Sequence, residues 1–176
     1  RFQNSGQVCA AAKRLIIEAG VVDAFTTKFL EASRALVMGD PTSDATYIGP
    51  MARFDLRDEL HGQVQATLEE GATLLLGGNK VAGSGNYYEP TVLANVTDQM
   101  TSFKQELFGP VASIITARDA DHAVDLANDS EFGLSASIWT NDLTHALRAT
   151  RAIQAGRVWV NTTLDNGPET PLGGMK

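Results

Sequence analysis

The sequence predicts an α/β protein in which a largely parallel sheet is covered by helices. Short apolar runs, rich in β-branched residues, alternate along the chain with segments whose apolar residues recur at helical spacing. Strands separated by predicted helices of about ten to fifteen residues imply the crossover connections that join parallel strands. With 176 residues, of which 43% are hydrophobic and 20% charged, the chain is long enough to build a proper core.

The first half of the chain supplies two predicted strands and two predicted helices. Short apolar runs bounded by polar residues or glycine indicate the strands, and apolar residues on one face indicate the helices. Gly71 is the predicted C-cap of the second helix, and Gly77-Gly78 ends the second strand. These elements are a strand at residues 14–17, helices at 21–36 and 56–68, and a strand at 73–76.

The second half repeats the alternation after a glycine-rich loop at residues 79–86. Its first segment contains Pro90, so it is either a strand or simply extended. Gly156 closes the last helix. The predicted elements are an extended segment at 88–93, strands at 111–116, 135–139 and 158–160, and helices at 120–128 and 143–153.

The charge and the lengths of the apolar runs disfavour two classes of partner. The formal net charge is −7, whereas nucleic acids and anionic membranes attract basic patches, so we expect neither as a partner. Runs such as Leu74-Leu75-Leu76 are far too short to span a bilayer. One cysteine cannot form an internal disulfide, and residues 1–14 lack the apolar core of a signal peptide. These features favour a cytoplasmic protein.

The single cysteine, Cys9, has two interpretations. A free cysteine is more often a small buried hydrophobe than a nucleophile. The neighbours of Cys9 favour a nucleophile, because Asn4-Ser5-Gly6-Gln7 is polar and flexible and Ala10-Ala11-Ala12 leaves room above the thiol. A nucleophile needs such access, together with backbone N–H groups directed at the oxyanion that it creates.

The residue pattern indicates no metal site and no phosphate-binding loop. His61, His122 and His145 lie in predicted helices among polar residues, which favours solvated side chains over a general base. One cysteine and three scattered histidines match no zinc spacing, so no metal is expected. Gly83-Ser84-Gly85 lacks the third glycine of a GxGxxG loop.

The stretch Glu106-Leu107-Phe108-Gly109-Pro110 also has two interpretations. It can be a loop entering the strand at Val111, with Phe108 in the core and Glu106 in solvent. Alternatively, a carboxylate and an aromatic ring, two residues apart and fixed by Gly-Pro, can bind a sugar hydroxyl and flank a flat ring. The residues alone favour the loop interpretation.

Five short motifs occur together over essentially the whole chain, and in this combination the sequence resembles the aldehyde dehydrogenase superfamily. The motifs are "NSGQVCAAAKR", "ELFGPV", "FGLSASIWT", "GRVWVN" and "PLGGMK". Two longer stretches, "GPMARFDLRDELHGQV" and "GNYYEPTVLANVT", are most similar to bacterial NAD-dependent succinate-semialdehyde dehydrogenases. The resemblance implies an oxidoreductase that converts an aldehyde, with succinate semialdehyde as the expected substrate, to the acid with NAD or NADP.

The resemblance also implies roles for individual residues. Cys9 would be the catalytic thiol, with its own backbone N–H in the oxyanion hole. Glu106 would hydrogen-bond the ribose on the nicotinamide side of the cofactor, Phe108 would pack near the nicotinamide ring, and Asn161 would order the loops around the site. The residues near the substrate entrance would be Leu164, Asp165 and Asn166. In the implied mechanism, Cys9 forms a thiohemiacetal, hydride transfer gives a thioester, and activated water releases the acid.

Two positions depart from the family pattern. Leu172 stands where the family commonly has Phe, which we interpret as a packing change. Glu59 stands where many relatives carry Lys near the adenine ribose, so the cofactor contact at that position stays open. We also expect a helix to lead to Cys9.

The expected organisation is that residues 1–176 form the thiol-bearing catalytic domain of a longer protein. The dinucleotide-binding domain, which would hold most of the cofactor, the general-base Glu and the side-chain amide of the oxyanion hole would lie in segments outside this chain. We therefore expect the isolated chain to be inactive and the full-length protein to be a homodimer or homotetramer. Two alternatives stay open: an enzyme for another ω-charged or neutral aldehyde, and a non-catalytic relative that keeps the fold.

Overall fold

A computed structural model describes residues 1–163, 167 and 169–176, and the chain divides into two units, Arg1–Thr116 and Ala117–Lys176. A short 3₁₀ turn, Gln3–Gly6, precedes the first strand. The strands of the described residues are β1 (Arg14–Glu18), β2 (Thr73–Leu76), β3 (Thr91–Ala94), β4 (Val111–Ala117), β5 (Ser135–Ile138) and β6 (Arg157–Val160). The helices are α1 (Val22–Arg34), α2 (Phe54–Glu69), α3 (Thr101–Lys104), α4 (Ala120–Asn128) and α5 (Leu143–Ala152).

The first unit is built on a four-stranded sheet in the order β1-β4-β3-β2. Strands β3 and β4 are parallel, whereas β2 and β3 are antiparallel. The antiparallel pair arises because the glycine-rich segment between β2 and β3 folds back on itself, with a bridge between Lys80 and Tyr88, and contains no crossover helix.

Both faces of this sheet are covered. On one face Val92, Ala112 and Ile114 form a cluster that packs against the aromatic side of α1. Side chains alternate along a strand, so the buried Leu93 and Ile115 point to the opposite face. Burial on both faces explains why β3 and β4 are near-continuous apolar runs in the sequence.

Phe2 anchors the start of the chain in this core. Its ring stacks on Phe29 of α1 at a centroid distance of 5.9 Å, and Phe29 stacks in turn on Phe25 at 5.5 Å. The 3₁₀ turn that follows Phe2 is therefore fixed to α1 at one end.

Helix α2 ends at the predicted glycine. Gly71 has a φ of +108°, and its N–H donates to the carbonyl of Leu68 while the N–H of Ala72 donates to that of Thr67. This pair of hydrogen bonds is a Schellman motif, which satisfies carbonyls that the helix leaves open. Its presence confirms the C-cap prediction.

The second unit contains the parallel pair β5 and β6 with helices α4 and α5. Each helix begins at an aspartate N-cap: Asp119 accepts from the His122 N–H at 2.8 Å, and Asp142 accepts from the His145 N–H at 3.0 Å. The backbone N–H groups of these two histidines are therefore the donors that the N-cap carboxylates bind.

The predicted α/β class, with a largely parallel sheet covered by helices, is confirmed. The helix at 21–36 is shorter than predicted and the one at 56–68 slightly longer, while the extended segment at 88–93 becomes a strand only from Thr91. The short helix α3 was not predicted. Among the described residues, none of the helices is long and apolar enough to cross a membrane.

Candidate active site

Cys9 is exposed, in the loop between the 3₁₀ turn and β1. The predicted helix leading to it is wrong. Asn4, Ser5 and Gly6 have φ values of +50°, +53° and +71°, so the backbone is left-handed over three residues in succession. Such a run cannot continue as a right-handed helix, which confines the helical part to a single short turn.

Side chains of this turn tie it to residues 49–52. The Ser5 hydroxyl donates to the Gly49 carbonyl at 2.8 Å, and the Gln7 side-chain oxygen accepts from the Ala52 N–H at 2.9 Å. Asn4 also donates to the Gln7 carbonyl at 3.2 Å. The polar residues before Cys9 therefore build the turn, whereas the sequence indicated only that they are flexible.

The backbone of Gly6 lies against the loop of residues 106–110. A Cβ atom at Gly6 would lie 2.1 Å from the carbonyl oxygen of Gly109, and one at Gly109 would lie 2.3 Å from Leu60 of α2. No side chain larger than hydrogen fits either position without movement. This close approach brings the Cys9 segment and the Glu106 segment together.

Arg1 holds the same two segments at their carbonyl groups. Its guanidinium donates to Gly6 at 3.2 Å and to Leu107 at 2.6 Å, and also to the carbonyls of Gly109 and Val111. Burial lowers the pKa of the guanidinium to about 10, although the nearby Glu106 carboxylate raises it, so the group is charged at neutral pH. We call Arg1 and these four carbonyl groups the Arg1 cluster.

Lys13 makes a second connection between Cys9 and Glu106. Its ammonium donates to the carbonyls of Val8 at 2.9 Å and Cys9 at 2.8 Å, and it forms an ion pair with Glu106 Oε1 at 2.7 Å. The same ammonium lies 5.4 Å from the centre of the Phe108 ring. The structure thus brings the three sequence-predicted site residues, Cys9, Glu106 and Phe108, around one lysine.

The loop interpretation of residues 106–110 is wrong for Phe108 and incomplete for Glu106. The Phe108 side chain is not in the core, since the residue is 40% exposed, and the apolar core position is taken by the buried Leu107. The Glu106 side chain is 37% exposed and paired with Lys13, so it is not simply solvated.

A cavity of about 390 Å³ opens beside Phe108. Its lining combines polar side chains of the segment that precedes Cys9 with apolar residues around the start of α2. Its lining residues are Asn4, Gln7, Pro50, Ala52, Leu56 and Phe108. A flat ring in this cavity would lie against the exposed aromatic side chain of Phe108.

The other sequence-predicted positions lie elsewhere. In the second unit the Asn161 side chain accepts from the Thr140 N–H and donates to the Thr140 carbonyl, both at 2.9 Å, and so ties together the chain segments that follow β5 and β6. Glu59 is exposed on α2, and Leu172 is also exposed. The predicted entrance residues Leu164, Asp165 and Asn166 lie outside the described residues.

The histidines and acidic residues do not form a metal centre in the described part of the chain, where no group of three or more His, Cys, Asp or Glu is placed to hold an ion. His61 Nδ1 lies 3.1 Å from the Tyr88 hydroxyl, and burial lowers the pKa of His61. His61 is therefore a partner of a buried tyrosine, and the expected solvated side chain is only partly correct.

Arg1 and Lys13 are the two residues of this site that the sequence reasoning missed. Both donate to backbone carbonyls, which leave no signature in the sequence, and Lys13 also pairs with Glu106. The only signal was that both basic residues flank Cys9 within a polar segment.

Comparison with known proteins places these features in a family. The family model described as "Aldehyde dehydrogenase family" matches residues 1–176. The chain is 58% identical over its full length to a succinate semialdehyde dehydrogenase [NAD(P)+] of Escherichia coli strain K12, and covers 38% of that protein. It is 44% identical over its full length to a succinate-semialdehyde dehydrogenase [NADP(+)] of Mycobacterium ulcerans, again covering 38% of it.

A solved structure shows the same fold. The crystal structure of an NAD-dependent aldehyde dehydrogenase from Sinorhizobium meliloti matches with a TM-score of 0.97 and 44% identity, over 99% of this chain and 35% of that one. The chain thus spans a little over a third of the length of the relatives that it matches. Because the family model covers every residue of it, the chain belongs to the aldehyde dehydrogenase family.

Proposed function

We propose that this chain is the thiol-bearing catalytic part of an NAD(P)-dependent enzyme that oxidises an aldehyde, with succinate semialdehyde as substrate, to the acid. The observation that carries the proposal is the exposed Cys9, held beside Glu106 and Phe108 by Lys13. A non-catalytic relative would have no need to keep an exposed thiol next to a carboxylate and an exposed aromatic ring. The names of the relatives support the substrate.

The chain's own contribution to the chemistry is the nucleophile. Cys9 attacks the aldehyde carbon, forming a C–S bond while the carbonyl electron pair moves to oxygen. The backbone N–H of Cys9 stabilises this oxyanion. After oxidation to the thioester, water attacks the acyl carbon, the C–S bond breaks, and the electron pair returns to sulfur as the acid is released.

The residues of the site fit a nicotinamide cofactor. Among the described residues Glu106 Oε2 has no hydrogen-bond partner, so this oxygen is free to accept from a ribose hydroxyl, and the face of Phe108 borders a cavity. When bound, the oxidised nicotinamide supplies the hydride acceptor of the reaction. We propose that Glu106 and Phe108 hold this end of the cofactor and that further segments of the enzyme hold the rest.

Replacement of the thiol tests the proposal. In the full-length protein that carries this chain, Cys9→Ala should lower the rate of NAD(P)H formation with succinate semialdehyde by about 10⁴-fold or more, because the nucleophile is lost. Cofactor binding, measured by calorimetry, should stay close to wild type. The same assay with butanal, which has the same chain length but no carboxylate, measures the preference for a charged aldehyde.

Lys80→Met is the matched control, because Lys80 forms an exposed ion pair with Asp58. It should leave the rate unchanged. A Cys9→Ala protein that keeps activity within tenfold of wild type would overturn the assignment of the nucleophile. Faster turnover of butanal than of succinate semialdehyde would overturn the substrate while leaving the chemistry intact.

A further inference from the structure

Lys13 has its hydrogen-bonding capacity fully used. It precedes β1 directly, and its ammonium has three N–H donors. These donors meet three acceptors within 2.9 Å: the carbonyls of Val8 and Cys9 and one carboxylate oxygen of Glu106. Two acceptors belong to the Cys9 segment and the third to the 106–110 loop, so one group fixes the distance between them.

The surroundings of this ammonium make its position specific. The Lys13 side chain is only 15% exposed, and burial lowers the pKa of its amine, while the hydrogen bond and charge of Glu106 raise it. Arg1 lowers the pKa further and Cys9 raises it. A partly desolvated cation of this kind needs its counter-ion, in contrast to an exposed lysine.

Glu106 is held by one oxygen only. Oε1 accepts from Lys13, and Oε2 has no hydrogen-bond partner in the part of the chain that the structure describes. The centre of the Phe108 ring lies 5.4 Å from the same ammonium, so Lys13 is next to both residues that we propose to hold the cofactor.

We propose that Lys13 is a positioning residue that keeps the Glu106 carboxylate oriented, with Oε2 presented to the vicinal hydroxyls of the cofactor ribose, while it anchors the backbone of the Cys9 turn. This inference rests on the proposed function, because it takes the ribose as the ligand of Glu106. Lys13 makes the cofactor end and the thiol end of the site a single unit.

The test is a double-mutant cycle in the full-length protein with Lys13→Met and Glu106→Gln. Each single variant should weaken binding of NAD+ or NADP+, whichever the wild type binds more tightly, by about tenfold in calorimetry. The double variant should bind no more weakly than the weaker single variant, because both changes remove the same oriented carboxylate. Thermal unfolding of each variant shows that it is folded, and Lys13→Gln replaces Lys13→Met if the latter is not.

A second measurement separates positioning from general stability. Lys13→Met should slow the alkylation of Cys9 by iodoacetamide several-fold, because two backbone anchors and a neighbouring cation are lost. Glu106→Gln should leave alkylation nearly unchanged, since Lys13 still holds the turn. Lys80→Met should change neither cofactor binding nor alkylation.

The outcomes distinguish this inference from the proposed function. Wild-type cofactor affinity in Lys13→Met, with weakened affinity in Glu106→Gln, would overturn the role of Lys13 and leave the proposed function standing. If the losses of cofactor affinity in the two single variants add up in the double variant, the role of Lys13 is also overturned and the proposed function stands. Wild-type affinity in Glu106→Gln would overturn the ribose role of Glu106 and this inference with it, whereas Cys9→Ala tests the chemistry independently.

Discussion

Two sets of basic residues in the first unit differ in what they contact. Around Cys9, Arg1 and Lys13 are half-buried and donate to backbone carbonyls of two separate segments. Around the start of α2, Arg53 and Lys80 form exposed ion pairs with Asp55 and Asp58. The residue types are the same, but only the first set donates to partly buried backbone carbonyls.

The difference shows that a charge stabilises a fold mainly through what would be left unpaired without it. A buried carbonyl without a donor keeps its full desolvation cost, whereas an exposed carboxylate that loses its lysine is solvated at once. We therefore expect large effects at the Arg1 cluster, intermediate effects where an exposed charge meets a backbone N–H, and small effects at the exposed pairs.

The largest effect is expected for Arg1→Met. The side chain keeps much of the volume but removes the guanidinium from the carbonyls of Gly6, Leu107, Gly109 and Val111, of which Leu107 and Gly109 keep a further donor in the N–H groups of Gly109 and Val111. We expect a loss of about 3 kcal/mol in the free energy of unfolding, measured by urea denaturation of the full-length protein. The free energy of unfolding of Arg1→Lys should lie between those of the wild type and Arg1→Met, because an ammonium cannot reach all four carbonyls. A loss below about 0.5 kcal/mol for Arg1→Met would show that water replaces the guanidinium.

An intermediate effect is expected at the start of α5. The His145 N–H lowers the pKa of the Asp142 carboxyl, since it donates to the charged form. The stabilisation is therefore present above the ordinary carboxyl pKa of 3.8 and is lost as the pH falls through the lowered value in the folded protein.

Asp142→Ala should lower the melting temperature by a few degrees at pH 7, and the difference from wild type should narrow towards about pH 3. Asp142→Asn is the matched control, because asparagine caps a helix without titrating. An Ala variant that differs from wild type equally at both pH values would contradict the assignment of the charge.

The smallest effect is expected for Lys80→Met, whose pair with Asp58 is 3.1 Å long with both side chains 40% or more exposed. The melting temperature should match wild type within experimental error in low salt and in high salt alike. A clear loss of stability that disappears in high salt would mean that exposed pairs matter here, and the contrast with the Arg1 cluster would not hold.

Most of the fold could be predicted because its signals are local. Apolar periodicity located α1, α2, α4 and α5, and the C-cap at Gly71 follows from the conformational freedom of glycine alone. The antiparallel pairing of β2 with β3 could not be read in this way, because a strand pattern does not state the direction of its partner.

The sequence motifs named the residues of the candidate site but not the contacts that hold these residues together. Cys9, Glu106 and Phe108 were identified by motif, and Gly6 was noted for flexibility. The reason for Gly6 is instead a backbone contact with Gly109, more than a hundred residues away. Arg1 and Lys13 were missed because all of the acceptors of Arg1 and two of the three acceptors of Lys13 are main-chain oxygens, which every residue type provides.

The main-chain contacts that hold the loops beside Cys9 have a consequence for the engineering of substrate and cofactor preference. Gly6 and Gly109 touch through their backbones, and the side chains that hold the loops beside Cys9 bind main-chain groups, so the side chains of Val8 and Phe108 take no part in these contacts. Positions 8 and 108 are thus open to libraries of alternative side chains, while positions 1, 6 and 109 should be kept fixed. The residues that hold the backbone of this site can therefore be kept while the side chains that face a ligand are changed.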